Sequence, residues 1–146
     1  MKLEGRSKLP TPIFLDTNIF LYASGSPHPA KNPCLTILEQ VAGGSLEATT
    51  NTEVLQELVF VLTRRSQRRE ALELASRVLA LFPALLPVTR TDMVLTCDIV
   101  AQHPRLPVRD AVHAATMLNN GLKTIVSIDS DFDQIPGLER ILPSSL

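Results

Sequence analysis

Two cysteines in 146 residues, Cys34 and Cys97, stand far apart and lack CxxC spacing, which excludes both a zinc site and a disulfide framework. Each falls on the apolar stripe of a predicted helix, so both read as core thiols. Positive charge is not in excess: 14 Lys and Arg against 15 Asp and Glu leave a net charge of −1. No global field then attracts nucleic acid or a membrane surface, and a polyanion would have to be held by a local basic patch or through a metal ion. No N-terminal apolar run resembles a signal peptide, and none approaches the roughly 20 residues of a membrane helix. A cytoplasmic protein with no membrane contact is expected. P-loop, GxGxxG, HExxH and nucleophile-elbow motifs are missing as well, as are internal repeats and low-complexity tracts.

What is present is enough for one core, since 45% of residues are apolar and 20% are charged. Residues 1–12 are polar, carry two prolines and show no period, and read as a flexible leader; residues 13–146 read as a single domain. Ile13-Phe14-Leu15 forms a short strand that ends at Asp16 and runs into a helix. Asn32-Pro33 looks like a cap with proline at the first helical position, opening a helix to Gly43-Gly44. Leu46 to Thr50 is a second strand. A helix over 51–65 follows, with Val54, Leu55, Leu58, Val59 and Leu62 on its core face. Ser66 to Phe82 is its antiparallel partner, with Leu72, Ala75, Val78, Leu79 and Phe82 as the stripe. Ala84-Leu85-Leu86 is a short strand between prolines. Thr91 caps a helix whose stripe is Met93, Val94, Cys97, Val100 and Ala101.

The most informative stretch is Pro107 to Asp133. Ala111, Val112, Ala115 and Leu118 recur at helical spacing, Asn120-Gly121 stops the helix, and Thr124 to Ile128 is short and apolar enough to be a buried strand. Asp129, Asp131 and Asp133 follow where that strand emerges. The tail from Ile135 to Leu146 is expected to cover a sheet edge. Strands alternating with helices predict an α/β fold with a central, mostly parallel sheet between helical layers.

Asp16 and Asp129 both end predicted parallel strands and therefore share one edge of the sheet, where open α/β folds bind ligands. Asp110 lies in the first turn of its helix, and Glu57 projects from the helix over 51–65. Each acid has an ordinary alternative: a cap on the helix dipole for Asp16 and Asp110, a solvated helix face for Glu57, a polar turn for Asp129, Asp131 and Asp133. Glu53 fits a capping box with Thr50 and is left structural. His113 lies beside the apolar stripe and reads as a half-buried structural histidine. Together the acids make the stronger case. Carboxylates about 4 Å apart repel by several kcal/mol even at an effective dielectric near 20, so protons or cations must neutralise them. Oxygen ligands without Cys suit Mg²⁺ or Mn²⁺, and such ions serve phosphodiester hydrolysis. A calcium loop at Asp129 fails, because Gln134 and Arg140 stand where Gly and Glu are needed.

In order and spacing, F-L-D-T-N-I-F-L-Y-A, E-V-L-Q-E-L-V-F-V-L, R-D-A-V-H-A-A-T-M-L-N-N-G and I-V-S-I-D-S-D-F resemble the PIN-domain family, most closely its VapC-type toxin ribonucleases. The resemblance runs from Ile13 to Leu138. It implies a three-layer α/β/α sandwich and a Mg²⁺- or Mn²⁺-dependent endoribonuclease, with an antitoxin protein as a possible partner. The family's four acids fall on Asp16, Glu57, Asp110 and Asp129, with Asp131 as a supplementary metal ligand. Thr17 and Asn18 match residues that orient the first acid, and Ser127 stands where the family usually has Thr. Arg64, Arg65, Arg68 and Arg69 offer a basic patch for an RNA backbone, or a solvated helix junction. The helix pair over 51–82 could pack a homodimer partner or an antitoxin helix, or simply cover its own core. Three rivals remain: a haloacid-dehalogenase-like phosphatase with Asp16 as nucleophile, disfavoured by Asn18; a phospho-acceptor receiver domain, disfavoured by the want of a mid-chain acceptor; and a non-catalytic metal- or RNA-binding module of the PIN fold.

Overall fold

Ile13, Phe14 and Leu15 are fully buried, and a strand that is apolar on both faces belongs in the middle of a covered parallel sheet. The computed structural model, which describes residues 12–146, places it there; apart from Pro12, the expected leader lies outside the described residues. Strand β1 (Ile13–Leu15) pairs in parallel with β2 (Ala48–Thr49) on one side and with β3 (Thr124–Val126) on the other. β4 (Glu139–Ile141) pairs in parallel with β3, giving the order β2-β1-β3-β4. The tail therefore supplies the edge strand itself. Beyond β2 the strand expected over Ala84–Leu86 shrinks to one parallel bridge between Asn51 and Leu86. The Leu86 N–H donates to the Thr50 carbonyl at 3.0 Å and the Thr52 N–H to the Leu86 carbonyl at 2.9 Å. Pro83 and Pro87 on either side leave no room for a longer ladder.

Among the described residues six helices cover this sheet: α1 (Thr17–Ser24), α2 (Lys31–Ala42), α3 (Thr52–Arg64), α4 (Arg68–Leu81), α5 (Arg90–Gln102) and α6 (Val108–Asn119). α1 packs on α2 and α3, α3 on α4, and α5 on α6. The chain steps from β1 outward through β2 to Leu86, then returns to β3. Right-handed crossovers in opposite directions place α1 to α4 on one face and α5 with α6 on the other. This is the expected α/β/α sandwich.

Local details depart from the sequence reading in instructive ways. α2 begins at Lys31 after an Ala30 that makes no side-chain cap, and Pro33 still lies in the first turn, where its missing N–H is not needed. α3 is capped by Asn51, whose Oδ1 accepts from the Val54 N–H at 2.9 Å. The Thr50 hydroxyl instead donates to the Leu15 carbonyl at 3.0 Å, tying β2's end to β1. On α4 the buried face is Ala71, Leu74 and Val78, whereas Leu72 and Leu79 are 61% and 50% exposed. The sequence offers two leucine-bearing faces there, and packing against α3 selects one. On α5 the buried face is Asp92, Thr96 and Ile99, with Met93, Val94 and Cys97 exposed.

Polarity is turned inward on α5 because its groups find partners. The Thr96 hydroxyl donates to the Asp92 carbonyl and the Asn119 amide to Asp92 Oδ1, each at 2.8 Å. Apolar periodicity cannot detect such a face. Cys97 is thus a surface thiol and Cys34 a core one, its thiol pushed up to about 11 by burial. Under native conditions a thiol reagent should label Cys97 alone, with Cys34 reacting only once the chain is unfolded. Two equally fast native thiols would contradict this placement.

Candidate active site

Four segments far apart in sequence meet at the C-terminal edge of the sheet. Asp16 follows β1 directly and caps α1, its Oδ1 accepting from the Thr17 N–H at 2.7 Å. Its Oδ2 accepts from the Ser127 hydroxyl at 2.6 Å and from the Asn18 amide at 3.2 Å. Ser127, fully buried at the end of β3, also accepts from the Asn18 amide at 3.3 Å and from the Asp129 N–H at 2.9 Å. One hydroxyl therefore fixes the first acid and the turn carrying the last. Asp129 in turn caps the 3-10 turn over Ser130–Gln134, accepting from the Asp131 N–H at 2.9 Å.

Glu57, on α3, reaches the same edge. Its Oε1 accepts from the Thr17 hydroxyl at 2.8 Å and lies 3.4 Å from His113 Nε2. Partial burial opposes its ionisation, yet the hydrogen bonds from His113 and Thr17 and the nearby charge of Arg109 hold its carboxyl below the usual range. Asp110, in the first turn of α6, is in the opposite state. It is 8% exposed, and its Oδ2 is buried with no hydrogen-bond partner among the described residues. Burial pushes its carboxyl up to about 8, reinforced by the charges of Asp16 and Asp129 and by hydrogen bonding to Asp129. Burial also raises Asp16, against the pull of His113, Ser127 and Thr17.

Two groups of oxygen and nitrogen atoms converge closely enough to share a cation: Asp16 with Asp110 and His113, and Asp110 with Asp129 and Asp131, each set within 4.8 Å. Asp110 belongs to both. The orphaned Asp110 oxygen and its raised carboxyl are what a missing positive charge would leave behind, so the donor set fits a hard divalent ion.

The sequence predicts a half-buried His113 beside the apolar stripe; the structure buries it completely. It lies one turn along α6 from Asp110, the spacing that puts two helical side chains on one face. Asn51 sets its tautomer. Because Asn51 Oδ1 accepts from Val54, its Nδ2 is the donor end, 3.2 Å from His113 Nδ1 and 3.2 Å from the Thr116 hydroxyl. The neutral ring then carries its proton on Nε2, aimed at Glu57 Oε1 and 3.8 Å from Asp16 Oδ1. No single motif announces Asn51, since its role depends on a contact made 62 residues away.

The basic residues divide. Arg64 lies over the Phe60 ring at 5.8 Å. Arg69 pairs with Glu73 at 3.1 Å on the surface, and Arg65 lines a pocket shared with Glu70, Glu73 and Arg77. Glu53 pairs with Arg109 at 3.4 Å instead of closing a capping box.

Two outcomes are expected. The cation-free folded protein holds the Asp110 proton up to about pH 8, while the unfolded chain releases it near 3.8. Stability should therefore fall as pH rises through that interval. Asp110→Asn should raise the melting temperature at pH 8 by a few degrees, on the order of 1 kcal/mol, and change little near pH 4; equal melting at pH 8 would contradict the raised carboxyl. In nitrogen NMR, His113 should show a protonated Nε2, and Asn51→Asp, which puts an acceptor where the amide donates, should add a proton at Nδ1. An unchanged pattern in that variant would remove Asn51 as the controlling partner.

The PIN domain profile matches residues 13–138. The chain is 33% identical over 130 residues to ribonuclease VapC13 of Mycobacterium tuberculosis, covering 88% of this chain and 98% of that one. It is 30% identical over 138 residues to ribonuclease VapC7 of the same organism, covering 91% and 92%. Among solved structures, the Mycobacterium tuberculosis VapC20 toxin, described as cleaving the sarcin-ricin loop, superposes with a TM-score of 0.72 at 20% identity over 87% of this chain and 97% of that one. VapBC2 of Rickettsia felis, bound to a promoter DNA fragment, gives 0.71 at 17% identity over 90% and 98%. With its acids at the edge where β1 and β3 end, and with relatives of this similarity along nearly their whole length, the chain belongs to the PIN-domain family.

Proposed function

We propose that this chain is a metal-dependent endoribonuclease of the VapC type, acting as the toxin of a toxin–antitoxin pair. The observation that carries this reading is the buried Asp110 oxygen, without a partner among the described residues, on a side chain that comes within 4.8 Å both of Asp16 with His113 and of Asp129 with Asp131. Asp16, Asp110 and Asp129, with Asp131 at the rim, would hold Mg²⁺ or Mn²⁺. A bound ion of this kind lowers the pKa of water and offsets charge on a phosphodiester.

The chain's own residues have distinct tasks in this scheme. Ser127 and Asn18 fix the orientation of Asp16. Thr17 and His113 hold Glu57 from two sides, and its ionised carboxylate is the group placed to take a proton from an attacking water. Asp110 must give up its proton before it can act as a ligand, so ligand binding and deprotonation are linked at this residue. Unneutralised, the four acids repel RNA, so substrate affinity should itself depend on the ion.

The same family supports a protein partner. The solved relatives include a toxin–antitoxin complex from Klebsiella pneumoniae. On this chain an apolar trough of about 320 Å³ between α1, α2 and α4, lined by residues such as Phe20, Leu35, Leu38, Leu74 and Val78, is a surface an antitoxin segment would cover. Among the described residues no helix is long and apolar enough to cross a membrane.

The nuclease reading predicts cleavage of a mixed RNA pool with Mn²⁺ or Mg²⁺ and none in EDTA. Asp16→Asn and Asp110→Asn should each lower the rate by at least about 10²-fold, the scale on which charge-stabilising groups act. Cleavage that survives EDTA or either substitution would sink it. Intact RNA alongside a stabilising effect of Mn²⁺ on the wild type would favour the non-catalytic module instead.

A further inference from the structure

Five phenylalanines occur in the chain, and four of them, Phe14, Phe20, Phe82 and Phe132, are no more than 5% exposed. Phe60 is 45% exposed. Its place is not arbitrary: Glu53, Glu57, Phe60 and Arg64 recur at the four- and three-residue steps that make a single stripe along α3, so the ring lies one turn beyond Glu57. Arg109, next to Asp110 at the start of α6, lays its guanidinium over this ring at 4.5 Å from the centroid. Arg64 flanks the ring at 5.8 Å. The Arg109 Nε faces Glu53 at 3.4 Å, which fixes the fork and leaves its two terminal amino groups as donors. An open trough of about 560 Å³ runs along the same helix and includes Phe60.

We propose that Phe60 and Arg109, with Arg64 beside them, form the subsite for a single-stranded RNA nucleotide adjoining the scissile phosphate. The proposal rests on the nuclease reading and says where the strand lies. A base stacks against the Phe60–Arg109 tier, which is sequence-tolerant because every base has a π-face. The Arg109 amino groups take the neighbouring phosphate in the forked geometry that suits guanidinium. In a chain of net charge −1, cations next to the acidic edge supply the attraction the whole protein lacks. An exposed aromatic ring tolerated beside such a site has a use there that solvent exposure alone does not give it. The contacts are to base face and backbone, so the subsite orders the strand without dictating its sequence.

The chain has no tryptophan, so Phe60→Trp introduces a single fluorescent reporter at the ring. In the Glu57→Gln background, which keeps the metal-holding acids, with Mn²⁺ present, a single-stranded RNA oligonucleotide should quench that tryptophan, half-maximally at the concentration that half-saturates binding, with duplex RNA a much weaker quencher. In otherwise wild-type protein, Phe60→Ala should raise KM roughly tenfold, the scale of one lost stacking contact. Phe60→Trp and Phe60→Tyr should restore it, and all three should melt close to the wild type. Arg109→Ala should flatten the dependence of log KM on log salt by about 0.7, as expected when one phosphate contact to a single strand is lost; Arg109→Lys should keep that slope. RNA bound and cleaved with no quenching and an unchanged KM overturns the subsite while leaving the nuclease intact. RNA neither bound nor cleaved overturns both. Quenching by a protein partner but not by RNA overturns the subsite by assigning the ring to a protein contact.

Discussion

Asp16 and Asp110 are held where water is scarce, and their repulsion is the constraint on which the rest of this site depends. Neither can be ionised comfortably in the absence of a cation: Asp110 keeps its proton to about pH 8 and Asp16 is raised by burial. The fold accepts this because the strands that deliver Asp16 and Asp129 are themselves buried and paired. Their ends cannot retreat from each other without breaking the β1–β3 ladder. Preorganised repulsion of this kind makes a cavity with a strong preference for a compact positive charge.

Hydrogen bonds decide which carboxylates share the strain. Asp16 and Glu57 are each held by two or more donors, which favour ionisation, while Asp110 has an oxygen with no donor among the described residues. Environments that push neighbouring acids apart in this way separate their roles. The buried Asn51–His113 pair extends the arrangement inward. It links the cap of α3 to the ring that touches Glu57, so the helix that carries the acid and the residue that orients it are positioned by one side chain.

Much of this was legible in the sequence. Ile13 to Asp16 and Thr124 to Asp129 announce themselves as apolar strands ending in acids, and parallel pairing follows from the intervening helices. That logic brings Asp16 and Asp129 to one edge before any coordinates exist, and Asp110 follows from its place in the first turn of α6. The failures have a common physical origin. α5 buries Asp92 and Thr96 because Asn119 and the helix's own carbonyls satisfy them, a condition that a hydropathy pattern cannot register. α4 presents two leucine faces of similar strength, and only contact with α3 chooses between them. Asn51, Arg109 and the Nε2 proton of His113 are invisible for the same reason, since each is defined by a partner distant in the chain. Local chemistry reveals which residues can act; tertiary contact reveals which of them are brought together.

The central claim is that the acidic edge is a cation site whose charge is balanced by a proton until the ion arrives. It is tested most directly by calorimetric titration of the metal-free protein with Mn²⁺ in buffers of different ionisation enthalpy, near pH 6.5 and again near pH 9. Binding should release about one proton per chain at the lower pH, far less at the higher one, and little at either in Asp110→Asn. Mn²⁺ binding without proton release near pH 6.5, or no binding at either pH, would contradict the account.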